Sequence, residues 1–132
     1  MATLRYLTPE KVEEYNTLVL SMLKIKKADR PMLLSRKRLL MVLEGCKEAE
    51  GDLYDKAAVL LTGIIQKHPF ASGNRRTAFI AAKAFIVVNG GRFMLKDEPA
   101  QARIMVGIRE GYYAHQEVKE WIHHGTIREF RR

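Results

Sequence analysis

The fold of this chain is decided by one stretch, His68-Pro69-Phe70-Ala71-Ser72-Gly73-Asn74-Arg75-Arg76-Thr77. The most apolar segment of the chain, Leu53 to Lys67, precedes it, and an alanine-rich segment follows and ends at Asn89-Gly90. Because proline disfavours helical backbone angles in the residue before it, the first segment should stop at His68-Pro69. Apolar residues recur at helical spacing on both sides, so the sequence predicts two buried helices joined by a short loop.

Four further helices are predicted outward from this pair, because apolar residues recur at three- and four-residue steps. They run from Thr8 to about Lys24, from Ser35 to Gly45 and the polar residues after it, from Glu98 to about Arg109, and from Gln116 to Ile122. The side chains of Thr8, Ser35 and Asp97 are expected to cap the first three of these helices. No alternating run is long enough for a sheet, so the predicted fold class is all-α, with about six helices.

The composition indicates one compact domain spanning residues 1–132, since 47% hydrophobic residues are too many for a disordered chain. An excess of 23 Lys and Arg over 15 Asp and Glu gives a charge of +8, which favours acidic partners such as nucleotides, nucleic acid or acidic proteins. A single cysteine, Cys46, excludes an intramolecular disulfide, and no segment approaches the ~20 apolar residues that span a bilayer. We expect a cytoplasmic protein that does not bind membranes.

The loop and the helix start after it combine the parts of a phosphate site. A helix start presents free backbone amides and a positive dipole end, so a phosphate near Gly73 would be held by backbone donors. Arg75 and Arg76 would add charge-assisted hydrogen bonds, and His68 would accept a proton from an attacking hydroxyl. The plainer interpretation is a helix stop at His68 followed by two solvated arginines.

The run HPFASGNRRTAF resembles the signature of the Fic/Doc superfamily. That signature reads His-x-Phe-x-(Asp/Glu)-Gly-Asn, followed in Fic members by Gly-Arg-x-x-Arg and in Doc members commonly by Lys-Arg-Thr. Four other parts of the chain are similar to Doc-like proteins: Leu4 to Glu13, Leu53-Tyr54 with Ala57-Ala58, the helix end at Phe85 to Gly90, and Glu117 to Ile122. The resemblance implies an all-α Fic/Doc fold, with the active-site loop between two central helices, and ATP-dependent transfer to a protein hydroxyl.

The resemblance also implies a role for each residue of the loop. His68 would be the catalytic base, and Phe70 would be the buried anchor of the loop. Gly73-Asn74 would form and orient the anion-binding turn, with the asparagine contacting phosphate. Arg75-Arg76 would clamp the phosphate oxygens.

Two positions favour Doc over Fic within this superfamily. Fic enzymes that transfer AMP carry glycine after the asparagine and a second arginine three residues beyond the first, where this chain has Arg75 and Phe79. The Doc resemblance implies a toxin that transfers the terminal phosphate of ATP, with Mg²⁺, to a protein such as a translation elongation factor, and an antitoxin as partner. AMP transfer is the alternative.

Ser72 departs from the family pattern, which has an acidic residue there to hold the magnesium ion that bridges the phosphates. A hydroxyl is a poorer ligand for a hard cation than a carboxylate. Ser72 stays in the predicted nucleotide-binding set with residues 73–76. A Fic-fold protein that binds without transfer is therefore a second alternative.

Two weaker signals lie outside the loop. Lys24 to Arg30, followed by Pro31 to Leu34, correspond to the region where relatives place a flap that aligns the target protein, although an ordinary solvated loop is the plainer interpretation. A nucleic-acid module is the rival function, and its charges would be Arg36, Lys37, Arg38, Arg128, Arg131 and Arg132. These charges form no helix-turn-helix or RNA-binding signature, so nucleic acid is not the expected partner.

Overall fold

The computed structural model describes residues 3–23, 32–96 and 98–131 of the chain. Six α-helices occur in these residues: α1 (Pro9–Leu23), α2 (Arg36–Glu48), α3 (Leu53–Lys67), α4 (Asn74–Val88), α5 (Pro99–Arg109) and α6 (His115–His124). The described residues form no β-strand, and one isolated antiparallel bridge joins Leu33 to Phe70. The predicted all-α fold with six helices is therefore confirmed.

The predicted helix boundaries depend on local capping, and most of them agree with the structure. The hydroxyl of Thr8 accepts from the backbone N–H of Lys11 at 3.1 Å, and that of Ser35 accepts from Arg38 at 3.1 Å. At the fifth helix, Glu98 is the N-cap residue and its side chain makes no capping hydrogen bond. Asp97, which we expected to cap this helix, lies outside the described residues.

The second helix also ends where predicted, since α2 passes through Gly45 and stops at Glu48, among the polar residues that follow it. The last turn of α2 carries Cys46, which is buried on the same helix face as Leu39 and Val42. Burial of this turn offsets the low helix propensity of glycine, which costs about 1 kcal/mol. Burial of Cys46 thus carries the helix past the glycine and into the polar residues that end it.

Helix α3 lies at the centre of the fold and packs against α2, α4, α5 and α6. Its side chains Leu61 and Ile64 are fully buried, and Ala78 and Ala82 of the adjoining α4 are also fully buried. Small alanine side chains let two helices approach closely. The loop between α3 and α4 is therefore held at both ends by the most buried part of the protein.

Over the part of the chain that the structure describes, no helix has both the length and the apolar character needed to cross a membrane.

Candidate functional site

His68 ends α3 in an unusual backbone conformation. It is the C-cap residue, with φ 54° and ψ 57°, and its N–H donates to the carbonyl of Ile64 at 3.2 Å. Among the described residues it is the one non-glycine residue with a positive φ. Such angles are disfavoured for residues with a Cβ atom, and they are common where a helix ends. The chain turns sharply here and leaves the imidazole exposed.

The next residues of the loop are bound to the segment that precedes α2. The Pro69 carbonyl accepts from the N–H groups of Leu34 and Ser35, at 2.8 and 3.2 Å, and the Ala71 N–H donates to the Met32 carbonyl at 2.9 Å. Because these bonds fix the backbone directly after His68, they also limit where its imidazole can lie.

Asn74 closes the loop on itself. Its Oδ1 accepts from the Phe70 N–H at 3.0 Å, and its Nδ2 donates to the Phe70 carbonyl at 2.8 Å. Both side chains are buried, with exposures of 3% for Asn74 and 1% for Phe70. The amide of Asn74 thus shapes the turn from inside, and its contact with phosphate stays a prediction.

Helix α4 begins without a side-chain cap. Its N-cap residue, Gly73, is left-handed with φ 77°, and a glycine side chain has no acceptor for the first free amides. The first turn contains no acidic residue, whereas Arg75 and Arg76 are exposed there. Free amides, the positive end of the helix dipole and two guanidinium groups together make this helix start suited to an anion.

The two arginines face the start of α5 across a cavity of about 310 Å³. Its other lining residues are Glu98, Pro99, Ala102 and Met105. The volume is at the low end of the range for small-molecule sites. A larger cavity of about 860 Å³ lies between the beginning of α1 and α2, and none of the predicted site residues lines it. We therefore place the candidate site at the start of α4, because the residues predicted to bind phosphate lie there.

Ser72 is half-buried and carries no charge. Within the described residues, no group of three or more His, Cys, Asp or Glu side chains could hold a metal ion. A magnesium ion prefers carboxylate oxygens and phosphate oxygens as ligands. Ser72 therefore lacks the carboxylate that would suit a magnesium ion at this position of the loop.

Asn16 of α1 is a site residue that the sequence analysis missed. It is 1% exposed, and its Nδ2 donates to the carbonyl of Ser72 at 2.9 Å and to Oγ1 of Thr77 at 3.1 Å. Its spacing in the sequence could have identified it, because Asn16 lies one helical turn after Val12 and one turn before Leu20, and both of these residues are buried. A polar residue on an otherwise buried stripe needs a polar partner.

The charges assigned to the rival nucleic-acid module are largely engaged within the protein. Arg36 pairs with Glu10 at 3.3 Å, and Arg38 donates to the Lys67 carbonyl at 3.5 Å. Arg128 binds Glu117 at 2.5 Å, and its guanidinium carbon lies 4.0 Å from the centre of the Tyr112 ring. Arg132 lies outside the described residues.

Comparison with known proteins matches the region that contains this site. A family model described as the Fic/DOC family matches residues 6–86, which include α1, α2, α3, the whole loop and most of α4. A protein named Toxin Doc from Mycolicibacterium smegmatis is 47% identical over 38 residues. That alignment covers 29% of this chain and 29% of the length of that protein.

Proposed function

This chain belongs to the Fic/Doc family, and we propose on that premise that it is a Doc-like toxin that transfers the terminal phosphate of ATP to a protein hydroxyl. The observation that carries the proposal is the start of α4. There the left-handed Gly73 lies five residues after the exposed His68, and the exposed pair Arg75 and Arg76 follows in the first turn of the helix. Phosphoryl transfer needs phosphate binding and a proton acceptor at one place.

In the proposed reaction, the phosphates of ATP lie against the first turn of α4. The backbone amides and the helix dipole attract their charge, and Arg75 and Arg76 add hydrogen bonds of about 1.5–3 kcal/mol each. Binding there holds the terminal phosphate close to the loop. It also neutralises charge that would repel an attacking oxygen.

His68 then acts as the general base. Its imidazole takes the proton of the target hydroxyl while that oxygen forms a bond to the terminal phosphorus. The bond between this phosphorus and the bridging oxygen breaks, and ADP leaves. The exposed position of His68 supports a target that arrives from solution as part of another protein.

The segment before α2 supports a way to hold that target. The hydrogen bonds of Leu34 and Met32 to the loop use one edge of this segment. In antiparallel pairing the N–H and C=O groups of successive residues point to opposite edges, so those of Leu33 face away from the loop. We propose that an extended target segment pairs with this free edge. The rest of the predicted flap, residues 24–31, lies outside the described residues.

Phosphate transfer is preferred over AMP transfer because of Phe79. AMP transferases of the resembled type carry a second arginine at this position, whereas Phe79 is buried and packs edge-on against Phe93, with 5.2 Å between ring centres. Ser72 supports one other candidate, a protein that binds nucleotide without transfer. ATP is the only co-substrate proposed, and no step depends on a protein-bound metal.

An antitoxin is the second proposed partner, because the matched relative is named a toxin. The apolar residues Val19, Met22, Phe79 and Ile80 line a small cavity of about 30 Å³ beside Arg76. Met22 is 66% exposed. An apolar antitoxin segment that covers this surface would lie next to the proposed phosphate site.

The other parts of the proposal are its domain and location. The described helices share one core built on α3, which supports a single domain over residues 1–132. Its one cysteine, Cys46, is buried and unpaired, which fits a reducing cytoplasm that also supplies ATP and a translation elongation factor.

The deciding experiment uses ATP labelled at either the α or the γ phosphate, with a purified translation elongation factor and magnesium. We expect the wild type to transfer γ label only, and Ser72→Asp to transfer it at least about tenfold faster, because a carboxylate restores a metal ligand. Transfer of α label would establish AMP transfer instead. Absence of transfer by both proteins, with ATP still bound, would establish a binding protein.

A further inference from the structure

We infer that Asn16 is a positioning residue that fixes the Ser72–Gly73 peptide, so that the Gly73 N–H faces the phosphate site. The nature of the ligand rests on the proposed function. The placement of the peptide rests on contacts between α1 and the loop.

Asn16 ties together three parts of the site. Its Nδ2 donates to the Ser72 carbonyl at 2.9 Å, just before α4 begins, and to Oγ1 of Thr77 at 3.1 Å, inside the first turns of α4. Thr77 in turn donates its backbone N–H to the Gly73 carbonyl at 2.9 Å. One buried amide of α1 therefore holds both sides of the N-cap residue.

The hydrogen bond from Asn16 to the Ser72 carbonyl sets the direction of the Gly73 N–H. The Ser72–Gly73 peptide is trans, since the described residues contain no cis peptide. In a planar trans peptide the C=O and N–H bonds point in opposite directions. Because the Ser72 carbonyl points to Asn16, the Gly73 N–H points away from α1. It is aimed outward at the start of α4, where an anion would be held.

Close packing makes this arrangement rigid. A Cβ atom on Gly73 would lie 3.2 Å from Leu20, 3.3 Å from Nδ2 of Asn16 and 3.4 Å from Val19. The backbone of Gly73 therefore lies directly against α1. A rotation of the peptide would break the Ser72 bond and leave that carbonyl without its partner.

Packing alone does not account for an asparagine at this position. Its Oδ1 is buried and has no hydrogen-bond partner, which is unfavourable for a polar atom. A leucine of similar size would suit the stripe formed by Val12, Val19 and Leu20 without that cost. The side-chain amide of Asn16 is explained by the hydrogen bond from its Nδ2 to the Ser72 carbonyl.

The test compares Asn16→Leu with the control Thr77→Val, which removes the other partner of Nδ2 and keeps the Ser72 bond. We expect the dissociation constant for ATP, measured by calorimetry, to rise about tenfold in Asn16→Leu, which is about 1.4 kcal/mol, and less than twofold in Thr77→Val. The residual dipolar coupling of the Gly73 N–H, which reports its orientation, should change in Asn16→Leu only. Melting temperatures of both variants separate this effect from a general loss of stability.

Equal ATP affinity in Asn16→Leu and the wild type would overturn the inference. If the wild type itself binds no ATP, the proposed function fails, and the inference is decided by the Gly73 coupling in the free protein: a changed value in Asn16→Leu supports it and an unchanged value overturns it. Asn16→Ala, measured in the same way, replaces the leucine variant if that variant does not fold.

Discussion

The starts of α3 and α4 each leave backbone N–H groups without a partner inside the helix. The two starts differ in whether side chains of the protein accept hydrogen bonds from these groups. At α3, Asp52 accepts from the N–H groups of Tyr54 and Asp55 at 2.9 and 3.1 Å, and the Asp55 carboxylate accepts from the Asp52 N–H at 2.9 Å. Two groups of α6 then bind Asp55: Nζ of Lys119 at 2.9 Å and Nε2 of His115 at 3.0 Å. The positive end of α3 is thus satisfied within the protein.

The start of α4 has the opposite character. Gly73 offers no side-chain acceptor, the first turn has no acid, and Arg75 and Arg76 add positive charge to it. A glycine at the N-cap in place of a capping side chain costs roughly a few tenths of a kcal/mol. The α3 start is therefore capped by side chains of the protein, whereas the α4 start has no side-chain cap and carries the positive charge that would suit an anion.

The largest effect should come from the loop that precedes α4. In His68→Ala, we expect the rate of phosphate transfer to fall by about 10²- to 10⁴-fold, because the attacking hydroxyl loses its proton acceptor. ATP affinity should change little. The rate is measured with γ-labelled ATP, and His124→Ala, an exposed histidine on α6, is the control. Full transfer by His68→Ala would remove the catalytic role from this loop.

The next effect concerns binding at the open helix start. Arg75→Ala should weaken ATP binding by about 10- to 100-fold, since a charge-assisted hydrogen bond contributes about 1.5–3 kcal/mol. Arg109→Ala is the matched control, because Arg109 is an exposed cation at the other end of α5. Both affinities are measured by calorimetry at the same salt concentration. Equal losses in the two variants would mean that ATP responds only to overall charge.

The closed helix start should show the reverse behaviour. Asp52→Ala should lower the free energy of unfolding by about 1 kcal/mol through loss of the α3 cap, and should leave ATP affinity unchanged. Urea unfolding measures the first quantity and calorimetry the second. Asp52→Asn retains a capping side chain and should lose much less stability. A drop in ATP affinity would show that the two helix starts are coupled.

The smallest effect is a pH dependence at the same helix. The pKa of Asp55 lies well below its usual value, chiefly because Lys119 donates a hydrogen bond to its carboxylate and His115 adds another. A lowered folded pKa stabilises the protein above the unfolded pKa of about 4, and this stability is lost as the pH falls from there towards the folded value. Urea unfolding between about pH 5 and pH 2 should therefore show a shallower loss in Asp55→Asn than in the wild type. Parallel curves would contradict this assignment.

Local sequence signals predicted most of the fold. Thr8, Ser35 and the His68-Pro69 pair mark helix ends through contacts with near neighbours, so their effect can be read from adjacent residues. Gly45 alone does not end α2, because Cys46 after it is buried and the helix continues into the polar residues that were also predicted to end it. Propensity is a weak local term, and tertiary burial outweighs it.

The same distinction applies to the candidate site. The residues of the loop were found because they are consecutive in the sequence. Asn16 was not, since its partner Ser72 lies 56 residues away and only the packing of α1 on α4 brings them together. The engagement of Asn74 with Phe70 was also not predicted, because a side chain can equally face a ligand until the turn is seen.

Under the proposed function, the hydrogen bonds between the loop and the segment before α2 would affect which residue of a target is modified. They join Leu34 to Pro69, the residue directly after His68. A peptide paired with this segment would therefore lie at a fixed position relative to the imidazole. Side chains of a strand alternate between its two faces, and a slip of one residue turns each of them to the other face. A hydroxyl could then reach His68 only from every second position of the target. The register in which the target pairs with this segment would then decide which serine or threonine is modified.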